Sequence, residues 1–286
     1  MAENSLWLST SLFCSKNHWN ILLSDGIKPF IMSMPDEEEL ASFQIEFNYL
    51  NGENIRLALL TKVEQAETLA KKADTYFKKF FSISALPTNK PDLTDWGIFM
   101  PFPSNTIQYG LFKIDPLNLH DTKTFSFQKE LSLIIADGLS EENIDQETII
   151  TFAFYLHVAL IKLIKDKNPA TINELLQWYD TTAFHKTEEP MDMEFLKAKY
   201  EDNKEVLLEI TEDIIKHPSS VNKVPDWLEG WMDLCEKELI SYTLKEGDKT
   251  LTQIHSRITY YINKQLGITE EMKWVLYYFI SQTIFL

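Results

Sequence analysis

The chain has 286 residues, of which 44% are hydrophobic, and 27 lysines and arginines against 43 aspartates and glutamates give a formal net charge of -16. This length is compatible with one or two domains that bury a sizeable core. A surface so negative repels phosphate backbones, which argues against a nucleic acid as a direct ligand. The 8 glycines and the lack of a visible repeat argue against solenoids and low-complexity architectures.

The cysteines and the longest apolar stretch indicate a cytoplasmic protein without a membrane span. Cys14 and Cys235 both lie in apolar patterns without metal-ligand spacing, as reduced and buried thiols do. The amino-terminal segment lacks the basic and long apolar regions of a signal peptide. The stretch 149–164 is interrupted by His157 and Lys162, which favours a buried core helix over a bilayer span.

The residues from Phe43 to Leu60, FQIEFNYLNGENIRLALL, predict a β-hairpin. Apolar side chains alternate with others on both sides of Asn51-Gly52, which is the period of a half-buried strand. Asn51 and Gly52 tolerate a positive φ, so the chain can reverse there. Arg56, in the second strand, is one of only two arginines in the chain. The hairpin is therefore either plain scaffold or the position of an arginine-based site.

Around this hairpin, the first part of the chain predicts the split β-α-β-β-α-β order of ferredoxin-like folds. The proline-rich residues 82–104 predict a long connection before the last strand. The predicted elements are a strand at Trp7–Cys14, a helix at Lys16–Met32 weakened by Gly26 and Pro29, the hairpin, a helix at Val63–Phe81 and a strand at Thr106–Ile114.

The rest of the chain has the apolar periodicity of helices throughout. Start and end signals support the assignment, such as Thr269 before one helix and Gly267 after another. The predicted helices are Phe125–Leu139, Gln146–Lys165, Thr171–Tyr179, Met191–Ile215, Pro225–Glu246, Thr250–Leu266 and Thr269–Ile284. The fold class is therefore α+β. A sheet-bearing portion at 1–117 and a helical portion at 118–286 are expected to pack as one unit, with the break near residues 116–124.

The sequence contains no motif of a metal centre, a phosphate loop or a nucleophilic hydrolase. Its 6 histidines form no metal-ligand spacing such as HExxH, and CxxC is absent. No GxSxG elbow and no glycine-rich phosphate loop occur either. We therefore expect neither a metal nor a cofactor. His157, in AFYLHVALI, is interpreted as a core histidine with one hydrogen-bonded nitrogen.

Polar residues on one predicted helix, QIHSRITYYINKQLG, form a second candidate region. His255 and Arg257 share this helix with Asn263 and Lys264, which lie near its end. Two interpretations stay open. The residues are either a polar helix face or an anion or peptide site that faces Arg56 across the domain.

Three stretches resemble the C-terminal elimination domain of class I lanthipeptide dehydratases, a family that includes stand-alone thiopeptide-type bacteriocin biosynthesis proteins. The first is FNYLNGENIRLAL, preceded by Trp7-Leu8 and a helix, the second is NTIQYGLF, and the third is ITYYINKQLGITEE. They occur in the family's order and spacing over most of the chain.

The resemblance implies a lyase that eliminates glutamate from glutamylated Ser or Thr of a precursor peptide. A separate, larger domain attaches that glutamate from glutamyl-tRNA. Preorganised cations would stabilise the enolate and the leaving carboxylate. In this assignment Arg56 or Arg257 is the carboxylate clamp and His255 is the base. The substrate-binding residues are Asn48, Asn54, Tyr109, Asn263 and Lys264.

The chain departs from the family pattern where the family carries charged residues. Family arginines are replaced by Asn48, Ala58, Gln108 and Lys264. Asn54 stands at a family histidine, and so does Thr259, although His255 lies one helical turn earlier and shares its face. These replacements argue against glutamate elimination.

Two further functions stay open beside a lyase. A non-catalytic protein could bind the precursor peptide or a larger enzyme, since an acidic surface suits a basic partner. The second of these functions is that of a synthase that forms the pyridine ring of a thiopeptide. The expected partners are the precursor peptide and the larger dehydratase or glutamylation enzyme, without membrane or direct nucleic acid, and both monomer and homodimer remain open.

Overall fold

The computed structural model describes residues 5–34, 39–84, 86–87, 101–114, 122–141, 143–184, 192–216, 225–245 and 251–284. The chain divides into two compact units, Met1–Asp145 and Gln146–Leu286. The first unit contains the sheet and the second is helical, which confirms the α+β class. The predicted break near residues 116–124 falls mostly outside the described residues.

The first unit contains a four-stranded sheet in the order β2-β3-β1-β4, and every neighbouring pair is antiparallel. This is the arrangement of the split β-α-β-β-α-β fold, as predicted. The predicted last strand is shorter than expected, because it ends before Gly110, which adopts a φ of 71°. The strands are β1 (Ser5–Phe13), β2 (Ser42–Asn48), β3 (Asn54–Lys62) and β4 (Thr106–Tyr109).

The β2–β3 hairpin reverses as predicted, through Asn51 at a φ of 61° and Gly52 at a φ of 115°. The Asn54 side chain holds this turn together. Its Nδ2 donates to the carbonyls of Asn48 (3.3 Å), Leu50 (3.3 Å) and Gly52 (2.7 Å). One buried amide therefore satisfies the carbonyl groups of a turn that has few backbone partners of its own.

Helices cover one face of the sheet. The segment after β1 runs through α1 (Trp19–Ile21), a π-helical turn (Leu22–Ile27) and α2 (Lys28–Met32), where one continuous helix was predicted. Trp19 stacks on Phe47 of β2 at 4.9 Å between ring centroids. The predicted helix after the hairpin is α3 (Ala66–Ser84), whose buried Phe77 lies 4.9 Å from Phe30.

Helix α4 (Thr122–Gly138) belongs to the first unit and lies along β2. The Ser132 hydroxyl accepts from the Ile45 N–H at 3.1 Å, and the Ser42 hydroxyl donates to the Phe125 carbonyl at 3.2 Å. Ser132 of α4 thus binds a backbone N–H that β2 leaves outside its ladder with β3, and Ser42 of β2 binds a backbone carbonyl of α4. This covering protects the β2 edge from pairing with other strands.

The second unit is built around α5, which contacts α7, α8, α9 and α10. Among the described residues α5 alone is long and apolar enough to cross a bilayer, but 61% of its apolar window is buried inside the protein, as in a core helix. The end of α9 and the start of α10 follow the predicted signals. Gly267 adopts a φ of 61°, and the Thr269 hydroxyl accepts from the Met272 N–H at 3.3 Å. The helices are α5 (Gln146–Lys167), α6 (Ile172–Phe184), α7 (Met193–Lys216), α8 (Asp226–Lys245), α9 (Leu251–Gln265) and α10 (Glu270–Ile284).

Replacing the turn glycine of the hairpin tests this account of the fold. Gly52→Ala is expected to lower the free energy of unfolding by about 2–3 kcal/mol, because a φ of +115° is strained for any L side chain. Gly110→Ala is the matched control. Its φ of +71° is near the left-handed helical region and no described atom lies within 4 Å of the added Cβ, so we expect a loss of about 1 kcal/mol. Urea unfolding followed by circular dichroism measures both, and equal losses would contradict the account.

Candidate functional site

The strand register gathers five of the family-like positions of the first unit on one face of the sheet. Arg56 lies opposite Glu46 on β2 and opposite Ser11 on β1, and Ser11 lies opposite Gln108 on β4. These four residues, one on each strand, are called the polar row below. Asn48 and Asn54 form the neighbouring pair on the same face, and Ala58 lies two residues beyond Arg56. Of the five family-like positions Asn48, Asn54, Arg56, Ala58 and Gln108, only Arg56 is charged.

Arg56 is engaged by its neighbours on this face. Its Nη1 donates to Glu46 Oε1 at 2.6 Å, and the two side chains are only 16% and 15% exposed. The guanidinium carbon also lies 5.1 Å from the ring centroid of Phe112, within reach of a cation–π interaction. The Glu46 carboxylate offsets the charge of Arg56, and both side chains are largely shielded from solvent.

The other predicted residues of the first unit have different surroundings. Asn48 and Asn54 both bind the hairpin, since Asn48 Oδ1 accepts from the Leu50 N–H at 2.9 Å. Tyr109 lies next to Gln108 in β4, so its side chain is on the opposite sheet face from the polar row. Its hydroxyl donates to Asp74 of α3 at 2.8 Å. Burial and this hydrogen bond raise the pKa of Tyr109 above its ordinary value.

A buried polar chain lies inside the second unit and joins four helices. The Tyr179 hydroxyl on α6 lies 2.9 Å from His157 Nδ1 on α5 and 2.9 Å from His255 Nε2 on α9. His157 Nε2 lies 3.4 Å from Asn263 Oδ1, and Asn263 Nδ2 donates to the Tyr277 hydroxyl on α10 at 2.8 Å. We call these five residues the buried relay.

Donor and acceptor roles in the buried relay follow from its chemistry. Asn263 Oδ1 can only accept, so His157 carries its proton on Nε2 and accepts from Tyr179 at Nδ1. The Tyr179 oxygen then accepts from His255 Nε2–H. This leaves His255 Nδ1 as a bare acceptor, and that buried nitrogen has no hydrogen-bond partner among the described residues.

Both imidazoles of the buried relay are neutral at pH 7. Burial lowers the pKa of His157 to about 4, against a smaller opposing effect of its hydrogen bond to Asn263. Burial, and secondly the charge of His157, lowers the pKa of His255 to about 3. Burial likewise raises the pKa of Tyr179 well above its ordinary value. The chain of hydrogen bonds is therefore uncharged.

Helix α9 separates the predicted site residues of the second unit into two sets. His255 and Asn263 are both joined to His157 in the buried relay. Arg257 and Lys264 lie elsewhere on α9, with Arg257 5.9 Å above the Tyr261 ring and Lys264 Nζ 5.9 Å above the Tyr260 ring. The predicted polar helix face is thus two surfaces with different surroundings. Arg56 lies in the first unit and α9 in the second, and the composite site between them stays a prediction.

Sequence reasoning missed the phenol partners of the buried relay. His157 was expected to have one hydrogen-bonded nitrogen, whereas both of its nitrogens have partners. Tyr179 and Tyr277 were not singled out at all. One signal was available, because an imidazole inside an apolar helix needs a polar partner from another helix.

Comparisons with known proteins find similarity of structure alone. No protein-family model matches the chain, and no curated protein matches it. The pyridine synthase TbtD from thiomuracin biosynthesis superposes with a TM-score of 0.68 at 15% identity, over 97% of each chain. TsrL superposes with a TM-score of 0.64 at 14% identity, over 98% of this chain and 94% of that one. The tRNA-dependent lantibiotic dehydratase MibB from Microbispora sp. 107891 has a TM-score of 0.56 at 12% identity, over 97% of this chain and 28% of that one.

The chain has the fold that these three proteins share. The resemblance drawn from three short sequence stretches is thereby confirmed at the level of the fold. The shared fold covers nearly the whole pyridine synthase chain and about a quarter of the dehydratase chain.

Removing the hydroxyl at the centre of the buried relay tests its structural role. Tyr179→Phe leaves two buried nitrogens, Nδ1 of His157 and Nε2 of His255, without the hydroxyl that they contact, so we expect a loss of about 2–5 kcal/mol in the free energy of unfolding. Tyr155→Phe on α5 is the control, because Tyr155 is only partly buried, and we expect a change within about 0.5 kcal/mol. Urea unfolding measures both variants. A loss at Tyr179 as small as that at Tyr155 would contradict the relay.

The low pKa values of the two histidines predict acid sensitivity. The unfolded chain takes up protons at both residues below about pH 6.5, whereas the folded chain does not until about pH 4 and 3. Stability therefore falls as the pH drops from 7 to 5, by about 2 kcal/mol for each histidine. Unfolding at several pH values in the wild type and in His255→Gln measures this. The variant should show the shallower pH dependence, and identical slopes would overturn the assignment.

Proposed function

We propose that this chain acts in the maturation of a ribosomally made peptide natural product and that its ligand is the modified precursor peptide. The observation that carries the proposal is the match over 97% of both this chain and a thiopeptide pyridine synthase. A lantibiotic dehydratase contains the same fold in 28% of its length, so two peptide-modifying proteins share this scaffold.

The polar row supports a role other than glutamate elimination. Elimination develops negative charge on an enolate and on the leaving carboxylate, and preorganised cations stabilise both. Arg56 is the one charged residue of the five family-like positions, and Glu46 offsets it at 2.6 Å. Glutamate elimination would need Arg56 or Arg257 as the clamp and His255 as the base, and His255 is fully buried. We therefore propose that the chain binds the peptide and does not release glutamate from it.

The acidic surface supports a basic partner. A net charge of -16 raises the local concentration of cationic groups and accelerates their association. The precursor peptide and a larger enzyme of the same pathway are the proposed partners, in the cytoplasm.

Formation of a pyridine ring is the second candidate function. Of the three structures named above, the pyridine synthase has the highest TM-score, and the match covers 97% of its length. The chemistry starts from dehydrated residues and places no demand on a carboxylate clamp, so the replaced arginines do not count against it.

One mass-spectrometric experiment distinguishes peptide binding, pyridine-ring formation and glutamate elimination. The chain is incubated with a thiopeptide- or lanthipeptide-type precursor peptide, in a glutamylated and in a fully dehydrated form. We expect the glutamylated peptide to keep its mass, because the cationic groups for elimination are replaced. Loss of glutamate would overturn the proposal, provided that an Arg56→Gln variant loses the activity. A mass change of the dehydrated peptide, with a new ultraviolet absorption, would favour the pyridine synthase.

A further inference from the structure

The second unit contains an apolar pocket whose lining includes no residue of the polar row or of the buried relay. The amino-terminal turns of α5, α7 and α10 surround it, and its volume is about 440 Å³. A space of this size matches those that hold small ligands or one or two large side chains. Its apolar lining consists of Ile150, Phe195, Leu196, Met272, Trp274, Val275 and Phe279.

The lining is exposed enough to receive a ligand. Phe195 is 51% exposed although it is one of the largest apolar residues in the pocket wall. Trp274 and Val275 on α10 are also partly exposed. Apolar side chains grouped around a concave space gain free energy when a partner removes them from water.

The rim of the pocket is acidic. The pocket lining contains three carboxylates, those of Glu147, Asp192 and Glu271, and one ammonium group, that of Lys199. Lys199 Nζ lies 3.9 Å from Glu147 Oε1, and the Glu147 side chain is 80% exposed. Asp192 Oδ1 accepts from the N–H groups of Glu194 and Phe195 at the start of α7, both at 3.0 Å. Glu271 therefore carries the main excess of negative charge at the opening, and a cationic group next to an apolar one would complement both parts of the site.

We infer that this pocket binds a peptide segment in which a bulky apolar side chain lies next to a lysine or arginine. The apolar side chain would fill the space between α5, α7 and α10, and the cation would lie at the rim near Glu271. This inference extends the proposed function, because it assigns the pocket as the part of the chain that holds the modified precursor. It rests on the proposed function for the identity of the peptide.

Fluorescein-labelled peptides test the inference by fluorescence anisotropy on the full chain. Three short peptides in one Ser-Gly host carry Lys-Phe-Lys, Glu-Phe-Glu or Lys-Ser-Lys at the centre. We expect the first to bind at least about tenfold more tightly than either of the others, because it alone matches both the apolar wall and the acidic rim. Equal affinities for the first two would overturn the role of the rim, and no binding of the first would overturn the site.

Matched variants locate the binding. Phe195→Ser should weaken binding of the Lys-Phe-Lys peptide about tenfold, whereas Val206→Ser, on the same helix and 53% exposed, should leave it unchanged. Glu271→Gln should weaken it about threefold, and Glu205→Gln, outside the pocket, should not. Self-association of the chain that Phe195→Ser abolishes would show that a second copy occupies the pocket, and would overturn the inference.

The same variants distinguish the inference from the proposed function. If the authentic precursor binds and Phe195→Ser has no effect on it, the pocket assignment fails and the function stands. If Lys-Phe-Lys binds at the pocket and the authentic precursor does not bind at all, the proposed function fails and the pocket stands.

Discussion

The register of the four-stranded sheet is the constraint on which the candidate chemistry of the first unit depends. Successive side chains of a strand point to opposite faces, so a slip of one residue would move Arg56 onto the helix-covered face. The register is held by the Asn51-Gly52 turn, by Asn54 inside that turn, and by Ser132 of α4 on the edge of β2. With this register, Glu46 lies opposite Arg56 and offsets its charge. The same pairing that places the arginine on a shielded polar face therefore limits what it can do there.

The second unit depends in a similar way on a polar interaction inside an apolar surrounding. Burying two imidazoles and two phenols is unfavourable unless each finds a partner, and the buried relay supplies partners in sequence from α9 to α10. Because the relay joins four helices, it restricts how those helices can pack around α5. His255 is thus better described as a structural residue of this unit, and the apolar pocket with its acidic rim is the feature of the unit that suits a peptide ligand.

Local patterns in the sequence predicted most of the fold, since alternation, turn residues and helix caps act over short distances. The hairpin, the helices and the turn at Gly267 all follow from such signals. The π-helical turn at Leu22–Ile27 did not follow from local signals. Gly26 in this turn lies so close to Phe80 that a Cβ there would be 3.2 Å from the ring, and such a contact between distant parts of the chain is not visible in a local pattern. The opposite orientations of Arg56 and Tyr109 did not follow either, because they depend on the register of β3 and β4 with β1 and not on alternation within one strand. The Glu46–Arg56 pair likewise depends on the register between β2 and β3. The partners of His157 and His255 were not predictable from local patterns, because Tyr179 lies 22 and 76 residues away from them along the chain.

Isothermal titration calorimetry of the full chain with the dehydrated precursor peptide tests the central claim most directly. The account predicts saturable binding of one peptide to each chain, weakened at high salt because an acidic protein surface meets a basic peptide. The unmodified peptide and a scrambled peptide of equal charge serve as comparisons. Absence of binding to the precursor in its dehydrated, glutamylated and unmodified forms would contradict the claim that this fold serves peptide maturation here.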